Sequence, residues 1–189
     1  MIISLSGAPG SGKSTVAKKL AEELGWERYY MGGLRREKAK QRGLTLAEYN
    51  QLGETDPETD KEVDQYQREL GEKKDNFIIE GRTSWYFIPH SFKIYIDVEA
   101  QEGAKRIFKS LKAKDNRNED KGLNSWESVL QSNQERVASD SRRYQKYYNI
   151  DICDLKNYDF YLDTSKLTIE EVFLAVYQRI KDELDKRKK

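Results

Sequence analysis

The plainest chemistry in this chain sits in one short run: Gly7, Ala8, Pro9, Gly10, Ser11, Gly12, Lys13 and Ser14 spell G-x-x-x-x-G-K-[ST], and Thr15 follows. Glycines at that spacing let consecutive backbone N–H groups converge on phosphate oxygens with no Cβ in the way. A helix opening directly after the loop leaves its first N–H donors unpaired and its positive dipole end facing the ligand. One helix terminus contributes only ~0.3–2 kcal/mol toward a charge, so a triphosphate needs cations as well. The motif assigns Lys13 to the β- and γ-phosphates and Ser14 to a Mg²⁺ that bridges them, which makes residues 7–15 a candidate ATP cradle.

The flanks supply the elements such a loop requires. Ile2, Ile3 and Leu5 form an apolar, β-branched run ending at the loop, and after it Val16, Leu20 and Leu24 recur at helical spacing with Lys18, Lys19, Glu22 and Glu23 outside. Apolar runs at 2–6, 26–30, 76–80, 92–97 and 158–163 read as five strands separated by helical patterns. That alternation predicts a five-stranded parallel sheet flanked by helices, the three-layer α/β fold of P-loop NTPases.

Two departures interrupt the alternation. Residues 32–74 are polar and helical with a break at Pro57, too long for a simple crossover. They predict a helical insertion over the C-terminal edge of the sheet, where ligands sit in open α/β folds. The helix starting near Ala100 loses its apolar period on entering 112–122, so residues 109–122 read as a mobile lid. The core is then 1–31, 75–108 and 123–189, a single domain. A long helix over 125–148 leads back to the last strand, and Thr168 with Glu171 forms a capping box opening the final helix. Val172, Phe173, Val176 and Ile180 of that helix face the sheet, and 185–189 read as a frayed, solvated end.

Composition excludes several function classes. At 189 residues, 35% charged and net charge +1, the chain has no basic platform for nucleic acid, and its 12 tyrosines are not interleaved with a basic stripe. No apolar segment approaches a signal peptide or membrane span, and one cysteine, Cys153, permits no internal disulfide, so the expected compartment is the cytoplasm. Neither Cys153 nor the single histidine, His90, carries a metal-ligand pattern.

The loop names a ligand and leaves the reaction open. A guanine-reading N-K-x-D motif is missing, and every cation needed for transfer is present in the chain itself, which favours a small kinase over a GTPase or a motor. Phosphoryl transfer between two anions requires both to be neutralised and held in line away from water. Arg82 follows Glu80-Gly81 at a strand end, Arg36 lies beyond the second strand, and Arg136, Asp140 and Arg143 share one helical face at i, i+4, i+7. Glu80 itself reads either as a turn cap or as a partner of Mg²⁺ through water. A kinase with another acceptor (AMP, UMP or a small metabolite) and a nucleotide-binding assembly module of little activity remain as alternatives.

The whole chain to about residue 180 resembles the archaeal-type cytidylate kinases, a branch of the nucleoside monophosphate kinases. The resemblance rests on residues 7–15, Leu34-Arg35-Arg36-Glu37, the run 56–64, Glu80-Gly81-Arg82, Arg143-Tyr144, the segment 148–151, Tyr158-Asp159 and Asp163-Thr164-Ser165. It implies transfer of the γ-phosphoryl of ATP to CMP or dCMP by a monomer. It implies further that Arg36 and Arg82 hold the acceptor phosphate, that Arg136 and Arg143 act catalytically with Lys13 by bridging the two phosphate groups, and that Asp140 lies near the acceptor sugar. The loop 163–166 would sit against adenine. Asp60, Asp64 and Gln67 share a face of the insertion and match an acidic pattern of the family; an ordinary solvated helix face accounts for them equally. Two departures stand out: Tyr30-Met31-Gly32 replaces a small Ser-Ala-Gly step, which would narrow the acceptor pocket, and Ser110 occupies a position that commonly bears arginine. Lys112, Lys114 or Arg117 would then supply the lid's charge.

Overall fold

A computed structural model describes residues 1–113 and 123–188. The five strands are β1 (Ile2–Gly7), β2 (Glu27–Tyr30), β3 (Phe77–Glu80), β4 (Phe92–Asp97) and β5 (Phe160–Asp163), all parallel, in the order β2-β3-β1-β4-β5. Every residue of β1 is buried, as expected of a central strand covered on both faces. The strands before β4 lie on the β3 side of β1 and the later ones on the β4 side, so the order of successive strands reverses beside β1, and the crevice at the C-terminal edge of the sheet opens there.

Alternation along the strands sorts two cores. Ile3 and Leu5 of β1, with Ile78, Ile94 and Ile96, meet Val16, Ala17 and Leu20 of α1 (Lys13–Leu24) and Val172, Val176 and Ile180 of α8 (Ile169–Arg187). On the opposite face Ile2, Phe77 and Ile79 pack under Met31, Val63, Leu70 and Ile88. The expected Thr168–Glu171 capping box opens α8, and Gly25 closes α1 at φ 66 in the left-handed region that glycine adopts without strain. Because α8 continues to Arg187, residues 185–187 are helical rather than a frayed end.

The insertion consists of three helices, α2 (Met31–Gln41), α3 (Leu46–Gly53) and α4 (Glu58–Lys73), with Pro57 as the N-cap of α4 where the break was expected. The short α5 (Ser84–Phe87) follows β3, α6 (Ala100–Lys112) follows β4, and α7 (Trp126–Tyr148) returns along the insertion to the last strand. Most of the expected lid, with Lys114 and Arg117, lies outside the described residues; Ser110 and Lys112 belong to the end of α6. Among the described residues no helix is long and apolar enough to cross a membrane.

Candidate functional site

The loop between β1 and α1 is shaped by backbone packing. Gly7 and Gly10 have φ of 139 and 80, and a Cβ on them would come within 1.9 Å of the Ile96 carbonyl oxygen and 2.2 Å of the Gly103 carbonyl oxygen, respectively. The loop is thus pressed against β4 and the start of α6, and any side chain at either position would lift it. Gly12 caps α1 with no side-chain acceptor, which leaves the first amides of the helix for an anion. The Lys13 ammonium lies back along the loop and donates to the carbonyls of Gly7 at 2.9 Å and Ala8 at 2.6 Å. Desolvation there lowers it from the ordinary 10.5 to about 7; Arg82 and Arg136 push the same way, and Glu80 and Asp97 oppose them.

The loop forms the floor of a cleft of about 490 Å³. Four separated segments bring arginines to its walls: Arg35 and Arg36 from α2, Arg82 from the turn after β3, Arg106 from α6 and Arg136 from α7. Opposite the loop stand Asp60, Asp64 and Gln67 of α4, all 5% exposed or less. They do not form a solvated face. The inward side of α4 is mostly polar where it meets the cleft, with Val63 between Asp60 and Asp64, and Val63 and Leu70 pack into the second core.

The cations are positioned by shared carboxylates. Arg35 donates through Nη1 to Asp60 Oδ1 at 2.5 Å and through Nε to Asn50 at 2.7 Å. Arg143 spans the same carboxylate at 2.6 Å to both oxygens and reaches Asp140 with its other nitrogen. The second oxygen of Asp140 meets Arg82 Nε at 2.6 Å. Burial pushes the Asp140 carboxyl up, but Arg82, Arg143, Arg136 and Arg35 together hold it below its usual range. Burial likewise works against the charge on Arg143, and Tyr144, Asp140 and Asp60 outweigh it.

Arg143 is 0% exposed and does not line the cleft, and its guanidinium clamps α4 to α7 from behind. Arg136, about two helical turns away, does line it. Asp140 faces the cleft with its charge already engaged. Arg36 and Arg82 both lie on the walls. Arg36 donates through Nη1 to the Tyr30 hydroxyl at 2.8 Å and the Gly32 carbonyl at 3.0 Å. Tyr30 therefore lines the cleft and anchors an arginine, and its ring fits because Gly32 and Gly33 carry no Cβ, which would approach it within 2.8 and 2.7 Å. Gly81 is required for space, since a Cβ there would meet Ser84 Oγ at 2.3 Å.

Two residues of the cleft, Arg35 and Arg106, were not singled out from the sequence. Arg106 donates to the Thr164 carbonyl at 2.9 Å, and Thr164 in turn donates to the Asp97 carbonyl at 2.7 Å, tying the loop 163–166 to α6 and the sheet. Its signal was an arginine on the last full helix before the expected lid. For Arg35 it was a second arginine directly beside Arg36.

The residues beside Lys13 suit a hard divalent cation. Glu80 accepts from Arg28 Nε at 2.5 Å through Oε1, while its Oε2 is buried without a hydrogen-bond partner. The Ser14 hydroxyl lines the same cleft. One carboxylate and one hydroxyl are the protein donors expected for magnesium that otherwise keeps water and phosphate oxygens.

Known proteins resemble the chain at both levels. The profile of a family described as an AAA domain matches residues 6–127. The cytidylate kinase of Methanococcoides burtonii is 37% identical over 88% of this chain and 89% of its own. That of Methanocella arvoryzae is 37% identical over 98% and 99%. In three dimensions the shikimate kinase of Bacteroides thetaiotaomicron superposes with a TM-score of 0.61 over 98% of both chains at 12% identity, a likeness of fold.

Proposed function

Because the chain belongs to the archaeal-type cytidylate kinases, we propose that it transfers the γ-phosphoryl group of ATP to CMP or dCMP. A phosphate oxygen of the acceptor attacks the γ-phosphorus, the bond to the β–γ bridging oxygen breaks, and ADP and CDP or dCDP result. The attacking oxygen is already anionic, so no general base is needed and the protein's work is positioning and charge neutralisation.

The place of each residue supports a role in this reading. The amides at the start of α1 and the Lys13 ammonium receive the β- and γ-phosphates, Lys13 exchanging its loop carbonyls for phosphate oxygens. Arg36 and Arg82 take the acceptor phosphate, Arg82 turning from Asp140 toward it. Arg136 reaches the transferring group, and Arg143 holds the carboxylates that orient the others. Arg106 supports the loop 163–166 on the adenine side. Ser14, with Glu80 through water, would hold the Mg²⁺ that arrives on ATP; when bound, that ion neutralises charge on the β- and γ-oxygens. The insertion 32–74 covers both nucleotides and excludes water as a competing acceptor.

The observation that carries this reading is the convergence of arginines from four chain segments on one cleft floored by a phosphate-binding loop. The test is CDP formation from ATP, Mg²⁺ and CMP. Lys13→Ala and Arg82→Ala should each remove most of it while the protein stays folded. Phosphate release that ignores CMP, with no CDP, would overturn the reading in favour of a nucleotide-hydrolysing module.

A further inference from the structure

We propose that Arg28, which stands outside the cleft, is a positioning residue for the acceptor phosphate: fixed on Glu80, its guanidinium steadies the ring of Tyr30, and Tyr30 in turn holds Arg36. This rests on the kinase reading above, in which Arg36 takes the acceptor phosphate, and adds the side chains that keep Arg36 in place.

β2 is an edge strand of the sheet, and its register sets Arg28 beside Ile78 and Tyr30 beside Glu80 of β3. Residues two apart share a face of a strand, so Arg28, Tyr30 and Glu80 lie on the side of the sheet where Ile78 joins the first core, while Tyr29 packs against the second. From there Arg28 reaches along the strands to Glu80. It donates through Nε to Oε1 at 2.5 Å, and its Nη2 pairs with the same oxygen. Glu80 is 2% exposed, so a buried carboxylate anchors an arginine whose own side chain is 26% exposed.

The Arg28 guanidinium lies over the Tyr30 ring, 5.5 Å from its centroid, within the range at which a cation is drawn to an aromatic face. Tyr30 ends β2 and is the N-cap of α2, yet its side chain makes no capping hydrogen bond. Its hydroxyl accepts from Arg36 Nη1 at 2.8 Å instead. On the α2 side the ring lies against Gly32 and Gly33, and Arg28 supplies a side-chain contact where the glycines supply none. Glu80, Tyr30 and Arg36 line the cleft, so the contacts Glu80–Arg28–Tyr30–Arg36 join the carboxylate near Lys13 to the arginine of the acceptor wall. An arginine loses rotamer freedom when it grips a phosphate, and holding Arg36 beforehand lowers that cost.

The experiment measures the dissociation constant for CMP by titration calorimetry, with CDP formation beside it, in wild type, Arg28→Gln, Arg28→Lys, Tyr30→Leu and the double variant Arg28→Gln with Tyr30→Leu. Arg28→Gln keeps a donor for Glu80 and loses the cation, and CMP should bind about threefold more weakly, the size of one cation–π contact. Arg28→Lys should recover most of this, because an ammonium can also sit over the ring. Once Tyr30→Leu has removed the ring, adding Arg28→Gln should weaken CMP by less than about 1.5-fold, since the group that carries the effect is gone. Thermal unfolding checks the fold, and Arg28→Met takes the place of Arg28→Gln in the cycle if the latter does not fold. Unchanged CMP binding in Arg28→Gln, no recovery in Arg28→Lys, or a loss that persists in full beside Tyr30→Leu each overturns this inference and leaves the kinase intact; persistence would mean that Arg28 acts by its charge alone. A wild type that neither binds CMP nor forms CDP overturns the kinase reading itself.

Discussion

Replacing Arg143 by methionine separates a buried clamp from a phosphate ligand. The side chain is 0% exposed, grips both oxygens of Asp60 at 2.6 Å and also pairs with Asp140, so its removal leaves two interior carboxylates short of a counter-charge. Arg35 and Arg82 stay as partners, which keeps the cost within the ~3–5 kcal/mol found when one member of a buried ion pair is deleted. For a chain of 189 residues, each kilocalorie lowers Tm by roughly 2–4 °C, giving a fall of about 10 °C. Thermal unfolding followed by circular dichroism reads the stability, and a coupled CDP assay reads KM for CMP, which should rise as α4 and α7 lose register. Arg143→Lys should recover only part of either, because a point ammonium cannot span two carboxylates as a planar fork does. The reasoning is refuted if Tm moves by less than about 2 °C while kcat collapses, since that pattern belongs to a side chain acting on the reacting phosphates.

Other expectations can be checked together. With its proton affinity lowered to about 7, Lys13 is largely neutral at pH 8 and regains its proton when a triphosphate replaces the loop carbonyls. Binding of ATP at pH 8 should therefore take up close to one proton, and at pH 6 almost none; titration calorimetry in buffers of different ionisation heat measures this, and equal heats at pH 8 would count against it. Burial raises the Asp64 carboxyl from 3.8 to about 7, Asp60 adding to the rise and Tyr148, Arg35 and Thr83 opposing it. Acidification from pH 8 to pH 6 adds that proton to the folded protein and not to the unfolded chain, so the wild type should gain more in Tm over this range than Asp64→Asn, and equal gains would contradict the shift. Tyr30→Phe removes a hydrogen bond that holds Arg36; at ~0.5–1.5 kcal/mol KM for CMP should rise about fivefold with kcat nearly unchanged, and an unaltered KM would show that Arg36 is fixed by other contacts.

The parts of the fold that were legible in the sequence are those where one signal has one structural meaning. The loop motif fixes β1 and α1 because glycine spacing, apolar strand and amphipathic helix must occur in that order. The strand positions follow from short apolar runs between helical patterns, and each lies within two residues of its expected ends. The site was less readable for physical reasons. Asp60, Asp64 and Gln67 repeat every three or four residues, a spacing shared by a hydrated helix face and by a polar wall of a cleft, and only the packing of α4 against α7 and β3 distinguishes the two. Arg136 and Arg143 look alike on a helical wheel. Their fates diverge in packing: Arg136 lines the cleft, as Asp140 and Tyr144 do, whereas Arg143 is enclosed between the carboxylates of Asp60 and Asp140.

The carboxylate of Asp140, set among guanidinium groups, acts as a resident stand-in for the anion that the cleft receives. It lets several positive side chains wait close together without repelling one another apart, so the pocket keeps its shape between turnovers. If Arg82 takes the acceptor phosphate as proposed, the incoming group must displace it from this internal rival, which tempers affinity, and a departing product finds the rival ready to resume its place. The same ion pair therefore opposes tight capture and eases release, a compromise suited to a catalyst that must let go.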